Sequence, residues 1–326
     1  MDRPAAGAVS LLLTTPRAFV RRHVLARLPG ARPANPLQGR RILVTGASSG
    51  IGEATARLCA DRGATVLLVA RRADALERVR AEIEASGGAA YAHPCDLTDP
   101  DSVDALVRDV LDAHGGVDML VNNAGRSIRR SIRLSWDRMH DFERTMAINY
   151  FAPVRLMLGL LPGMVERGDG HVVNVLTWGV QVKAPKFAAY IASKTALDTW
   201  SRIAGRELYA DGVTFSNVRM ALVRTDMIGP TEAYAKLPAL TPEQAAAKVV
   251  RALEDRPLTI NVLPGSLAEI FNLVAPRLSD AVFSMVDRRF PDSAAARGHA
   301  HAAESGPAGL SAEGSTNQAR ERRAAP

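Results

Sequence analysis

The stretch that decides the fold is Ile42-Leu-Val-Thr-Gly-Ala-Ser-Ser-Gly-Ile-Gly52, ILVTGASSGIG. A short apolar run ends in a turn of three glycines, and residues Glu53 to Arg62 follow with helical spacing. Glycines between a strand and a helix let the backbone approach a pyrophosphate closely. The helix N-terminus then supplies amide donors and the positive end of its dipole. The spacing is G-x-x-x-G-x-G, not the more familiar G-x-G-x-x-G. A glycine turn alone is a weak signal, and its place straight after a first strand makes it much stronger.

Outward from the turn, strand and helix patterns alternate. Apolar runs at Thr65 to Ala70, Ala89 to Cys95 and Met119 to Val121 are separated by helical patterns at Ala73 to Ala85 and Pro100 to Ala113. Such alternation predicts an α/β fold, a doubly wound parallel sheet with helices on both faces in a single domain. A long helical region, Met139 to Met164, is expected to break near Pro153. Strands at Val172 to Val175 and Thr214 to Val218 flank a helix from Ala189 to Tyr209. A helix starts near Pro242 with Thr241 as N-cap, and a last strand is expected at Ile260 to Leu263. Ser266 to Arg289 reads as an apolar helix interrupted at Pro276. The expected organisation is an N-terminal arm and linker over 1–38, a catalytic domain over 39–292 and a disordered tail over 293–326.

Bulk properties narrow the function. The chain has 326 residues and 47% apolar content, enough for one large α/β domain. The formal charge of +7 is concentrated in residues 1–41, which hold eight Arg and one Asp. Residues 42–292 hold 29 basic and 30 acidic residues, so the domain is balanced and no nucleic-acid partner is expected. No uninterrupted apolar run reaches the roughly 18 residues of a membrane span. From Pro16 the arm could form an amphipathic helix, with Phe19, Val20, Val24, Leu25 and Leu28 on one side. Two readings stay open for it: a peripheral contact with an anionic membrane, or a helix packed on protein. Two cysteines, Cys59 and Cys95, fit a reducing, cytoplasmic setting, and no metal site is expected from their spacing.

Strand ends carry the remaining motifs. Arg71 and Arg72 end the second strand where an NAD enzyme usually has an acid, so they suit a 2′-phosphate and point to NADP(H). Strand three ends Cys95-Asp96-Leu97, strand four runs into Asn122-Asn-Ala-Gly125, and strand five ends at Thr177 and Trp178. Thirteen residues past Thr177 comes Tyr190-x-x-x-Lys194. In combination these motifs resemble the short-chain dehydrogenase/reductase family, over roughly Gly39 to Phe290, and the fold so implied is Rossmann-like. The resemblance implies a catalytic tetrad of Asn149, Thr177, Tyr190 and Lys194. It implies cofactor contacts from Gly46, Ser48, Ser49, Gly50, Ile51, Gly52, Arg71, Arg72, Asp96, Leu97, Asn123, Ala124, Gly125, Tyr190, Lys194, Val223 and Thr225. It also implies self-association, as a homodimer or homotetramer.

The chemistry is coherent on its own terms. A phenol of ordinary acidity, pKa about 10, is a poor proton carrier at neutral pH. Lys194 lies one helical turn past Tyr190, and its ammonium favours the phenolate. Tyr190 can then protonate an oxyanion as hydride arrives. Thr177 stands three residues after Asn174, where the family commonly has serine, and keeps the hydroxyl while adding a methyl. Trp178 and Leu222 are candidates for the substrate pocket, with a core role for Trp178 left open. Met220-Ala221 stands where many family members have Pro-Gly.

A narrower resemblance rests on Asn122-Asn-Ala-Gly-Arg-Ser-Ile-Arg-Arg-Ser131, Asp141-Phe-Glu-Arg-Thr-Met146, Leu222-Val-Arg-Thr-Asp-Met-Ile228 and Phe290-Pro-Asp-Ser293. It is similar to the branch containing bacterial fatty acyl-CoA reductases, which implies reduction of a long-chain acyl thioester by NADPH. Arg126, Arg129 and Arg130 would then meet coenzyme A phosphates, or form ion pairs or subunit contacts instead. Leu267 to Val286 would roof a lipid-sized cleft, or form core or interface. Three functions remain open: reduction of an acyl thioester or fatty aldehyde, reduction of a 3-oxoacyl or other bulky ketone, and cofactor binding without turnover.

Overall fold

The computed structural model describes residues 35–228, 237–293 and 296–297. Its centre is a parallel sheet of seven strands: β1 (Arg41–Thr45), β2 (Thr65–Ala70), β3 (Ala89–Pro94), β4 (Met119–Asn122), β5 (Gly170–Thr177), β6 (Val213–Met220) and β7 (Thr259–Ile260). Their spatial order is β3-β2-β1-β4-β5-β6-β7. The order reverses between β1 and β4, and such a switch point opens a crevice at the strands' carboxyl ends.

Alternate strand residues serve two cores. Ile42 and Val44 of β1 face one cluster with Val66, Leu68, Val121 and Val173. That face is covered by α1 (Gly50–Asp61), α2 (Ala73–Ala85) and, later in the chain, α8 (Pro242–Asp255). Leu43 faces the other cluster with Leu67, Leu120 and Val172. There the cover is α3 (Pro100–His114), α5 (Ala152–Glu166) and α7 (Ala188–Glu207). Because both faces are buried there, the inner strands β1, β2 and β4 read as continuous apolar runs.

The helix expected to break at Pro153 does not break. α4 (Met139–Met146) runs through a π-helical segment, 147–151, directly into α5. The amide of Ala152 bonds Ala147 O, five residues back, and Pro153 has no N–H. The carbonyls of Ile148 and Asn149 therefore lose their ordinary α-helical donors. A local widening absorbs the proline that the sequence pattern read as an end. Met139–Glu166 is long and apolar enough, by length and composition, to cross a membrane. Its α5 half buries Leu156, Met157, Leu160 and Met164 in the core, as a core helix does.

Both expected domain edges fall inside packed structure. Leu37, assigned to the arm, is fully buried in the first core. Ala296, assigned to the tail, is buried too, and its carbonyl accepts from Arg130 Nη1 at 2.7 Å. The amphipathic pattern from Pro16 and the sequence after 297 lie outside the described residues. The remaining elements are a short α6 (Gly179–Val182), α9 (Leu263–Val274) and α10 (Pro276–Arg289).

Thr241 does cap α8. Its hydroxyl accepts from the Gln244 amide at 3.2 Å, and Gln244 Oε1 accepts from the Thr241 amide at 3.0 Å. Thr241→Ala should cost about 1 kcal/mol of stability, read as a lower urea midpoint with an unchanged m-value.

Candidate active site

The glycine turn is held by what its side-chain-free atoms touch. A Cβ on Gly52 would sit 2.1 Å from Gly46 O, and one on Gly46 would meet Asn123 Nδ2 at 2.9 Å. Gly46 has φ +68° and Gly50 φ +55°, both in the left-handed region. Thr45 Oγ1 accepts from the amides of Asn123 at 2.9 Å and Ala124 at 3.0 Å. Asn123 Nδ2 in turn donates to Thr45 O at 2.9 Å. These bonds lock the ends of β1 and β4 together on either side of the switch point.

A cleft of about 1380 Å³ opens there. It brings together Gly46, Ser48, Ser49, Gly50, Ile51, Arg71, Arg72, Asp96, Leu97, Asn123, Ala124, Gly125, Val223 and Thr225 with Thr177, Trp178, Tyr190, Lys194 and Leu222. Two expected residues are not on its wall. Gly52 sits beneath the turn, where its missing side chain matters, and Asn149 is fully buried behind it. The wall suits a dinucleotide. Ser49 makes no side-chain cap to α1, so that helix's first amides carry no side-chain acceptor from it. Arg71 and Arg72 are exposed just past β2. Asp96 accepts from the Thr98 amide at 2.9 Å and from its hydroxyl at 2.7 Å. Those two bonds hold its carboxyl below the usual range, despite a small opposing burial effect.

The Met220-Ala221 departure leaves Thr225 in place. The segment after β6 is pinned by Leu240 N to Leu222 O at 2.8 Å and Arg224 N to Leu240 O at 2.9 Å. A Cβ on Gly50 would lie 3.1 Å from Thr225 Cγ2, so Thr225 packs against the glycine turn.

Lys194 is buried, and its Nζ donates to Val175 O at 3.0 Å. Burial pushes its ammonium pKa down to about 8. Asn149 Oδ1 accepts from the Arg126 amide at 2.9 Å, while its Nδ2 donates to Arg126 O and to Ser193 Oγ, both at 2.9 Å. Gly125 fits between the two: a Cβ there would lie 2.8 Å from Asn149 Oδ1 and 3.3 Å from Lys194 Nζ. Thr177 Oγ1 accepts from the Gly179 amide at 3.1 Å. That bond orients the hydroxyl and leaves its proton for another acceptor. Trp178 lines the cleft and is half-buried.

The comparisons agree with this geometry. A family model described as short chain dehydrogenase matches residues 40–235. The chain belongs to the short-chain dehydrogenase/reductase family. It is 47% identical over 262 residues to a fatty acyl-CoA reductase of Acinetobacter baylyi, covering 80% of this chain and 89% of that protein. It is 48% identical over 260 residues to a fatty acyl-CoA reductase of Mycobacterium tuberculosis, covering 79% and 88%. Among solved structures, a metagenomic short-chain oxidoreductase in complex with NADP matches with TM-score 0.61 and 32% identity, over 70% of this chain and 98% of that one. The protein is thus an oxidoreductase of this family, acting on a small molecule with a nicotinamide cofactor.

Of the readings left open for the three arginines, the structure gives Arg129 and Arg130 contacts within the protein. Arg129 donates to Phe290 O and Pro291 O, each at 3.0 Å. Arg130 is buried, pairing with Asp141 at 3.2 Å as well as with Ala296 O. Both tie the C-terminal segment to the loop after β4. Arg126 remains exposed on the cleft wall.

Sequence reasoning missed Ser193, which donates to Tyr190 O at 2.7 Å and receives Asn149. It also missed a file of buried amides. Asn122 donates to Asn174 at 2.9 Å, Asn174 to Asn217 at 3.0 Å, and Asn217 to Asp198 of α7 at 2.9 Å. The signal was three asparagines near the ends of apolar strands, where a buried amide needs partners.

The buried lysine gives a pH signature. In the folded chain the ammonium is lost near pH 8, against an ordinary value of 10.5. Between those values the unfolded chain binds more protons, so Lys194 makes stability rise with pH there. Lys194→Met should exceed the wild type in urea midpoint at pH 7, and that gap should narrow from pH 8 to 10.

Proposed function

We propose that this chain is an NADPH-dependent reductase of a lipid-like carbonyl, most directly a long-chain fatty acyl-CoA thioester and also a fatty aldehyde. The observation that carries this reading is the composition of the cleft. Its wall includes the glycine turn with Arg71 and Arg72, and also Leu222, Met227, Leu237, Phe283, Val286 and Phe290. A hydrocarbon chain gains from burial against such side chains. The named activity of the relatives in A. baylyi and M. tuberculosis supports the same substrate class. Arg126, on the cleft wall, suits a phosphate of coenzyme A.

The cofactor supplies a hydride when bound. The chain's own residues manage the oxygen. Thr177, with its acceptor lone pair engaged by Gly179, donates its proton to the carbonyl oxygen. Tyr190 delivers a proton to that oxygen as negative charge develops. Lys194 stabilises the phenolate left behind. Asn149 holds the Gly125–Arg126 backbone against the helix carrying both residues. With a thioester the resulting hemithioacetal returns its hydroxyl proton to the Tyr190 phenolate as the C–S bond breaks, leaving an aldehyde and a thiolate that takes a proton from water.

We also propose a cytoplasmic location, for which the two free, buried cysteines are support. Self-association is proposed through the outer sides of α5 and α7, where Leu158, Ile203 and neighbouring Tyr209 are exposed.

Two experiments test this. Purified protein with NADPH and a long-chain acyl-CoA should oxidise NADPH and release free thiol in equal amounts. NADPH loss on 3-oxoacyl substrates alone, without thiol, would move the assignment to a ketone reductase. Tyr190→Phe should remove turnover while NADPH binding, followed by fluorescence, persists. Separately, Arg71→Ala with Arg72→Ala should weaken NADPH binding by about tenfold or more, the scale of charge-assisted hydrogen bonds, and leave NADH binding unchanged.

A further inference from the structure

Helices α9 and α10 are built inside out. The side of α9 that meets the protein carries Gly265, Glu269 and Asn272. Gln181 Nε2 donates to Glu269 at 2.8 Å, and Asn272 Nδ2 donates to Gln181 O at 3.0 Å. A Cβ on Gly265 would lie 2.6 Å from Gln181 Oε1, so this contact is close. The opposite side of α9 carries Leu263, Leu267, Ile270 and Val274, all exposed. α10 repeats the arrangement. Ser279 bonds Asn272, and Asp287 pairs with Lys186, on its inner side. Leu278, Val282 and Met285 stand exposed on its outer side. An ordinary surface helix of a globular protein shows the reverse distribution. So large a continuous apolar face marks an interaction surface.

We propose that this face docks on a lipid bilayer with anionic headgroups. Three features favour a bilayer over a second copy of the chain. First, the apolar side chains protrude: at the corner between the helices Leu273 is 82% and Val274 76% exposed, and at the start of α9 Leu263 is 73% exposed. A fluid lipid phase surrounds such projections, whereas a rigid partner needs a matching hollow for each. Second, exposed Arg133, Arg288 and Arg289 have no acidic partner among the described residues. Arg133 follows Ser131, whose amide bonds Asp292 at 2.9 Å, so all three arginines belong to the same end of α10. They suit lipid phosphates. Asp280 is the exposed acid of α10, and it faces Arg277 at 3.8 Å. Third, Val286 and Phe290 are exposed and also line the cleft. The outer apolar face is therefore continuous with the apolar part of the cleft's wall.

The helices lie on the membrane and do not cross it. α9 has 12 residues, about 18 Å of helix, against a hydrocarbon core of about 30 Å. Docked in this way, the cleft mouth opens toward the acyl layer.

Sedimentation of the full-length chain with phosphatidylcholine vesicles, with and without phosphatidylglycerol, tests the proposal. Neither arm of this test uses a lipid substrate, so it stands or falls separately from the substrate assignment. The wild type should bind, and more tightly with phosphatidylglycerol. Leu267→Glu combined with Leu273→Glu should weaken binding by at least about tenfold, since each change removes a buried leucine's worth of apolar contact. NADPH binding and turnover of a short, water-soluble aldehyde should be unchanged, which shows that the variant is folded. Equal binding of variant and wild type would assign any membrane contact to the N-terminal arm and overturn the proposal. Absence of vesicle binding, with the variant shifting an oligomer to smaller species in analytical ultracentrifugation, would overturn it in favour of a second copy.

Discussion

A file of amides crosses the middle of the sheet, and the active site depends on it. Parallel pairing sets Asn122 beside Asn174 and Asn174 beside Asn217 in register. Each is buried, where an unpaired amide would be costly. The file is anchored from outside the sheet at one end, where Asn217 meets Asp198 and Ser201 of α7, while at the other end Asn122 Oδ1 is buried without a hydrogen-bond partner. Asp198 also takes Arg219 at 2.8 Å, and Arg219 reaches Glu269 of α9 at 3.7 Å. One polar network thus sets the position of the helix carrying Tyr190 and Lys194 against β5, which carries Thr177, and β4, which ends just before Asn123.

Lys194 is the second consequence. Its ammonium is buried with one carbonyl partner, Val175 O, and Gly125 leaves no atom between it and Asn149. A side chain at 125 would collide with Asn149 and crowd Lys194. The same glycine gives the loop after β4 the close approach that the clamp from Asn149 requires. A lysine so buried costs stability, and it stands one helical turn past Tyr190, where the proposed proton transfer needs a charge.

Much of this was legible in the sequence. The alternation of apolar runs gave the sheet because strands buried on both faces must be apolar throughout, and β2 and α2 fall at the residues the pattern marks. The cofactor wall was legible because its requirements are local: glycines at a turn, a basic pair at one strand end. Pro153 misled because a π segment can absorb a proline, and nothing in periodicity separates that from a break. For Arg129 and Arg130 the sequence left coenzyme A phosphates, ion pairs and subunit contacts open together, because most of their partners, the backbone of residues 290, 291 and 296, are far away in sequence.

The sequence by itself determined the fold class, the order of elements, the family motifs and the register of Thr177 against Tyr190. These follow from short-range patterns, since strand period, turn glycines and one helical turn between Tyr190 and Lys194 are local geometry. Only the tertiary structure decided which groups meet across distance: Asn149 with Arg126 and Ser193, the amide file with α7, Arg129 with the end of α10. It also decided that α9 and α10 turn their polar sides inward. A helical apolar stripe looks the same in sequence whether it faces a core or the outside, and only the placement of Gln181 against Gly265 and Glu269 settles which side is in.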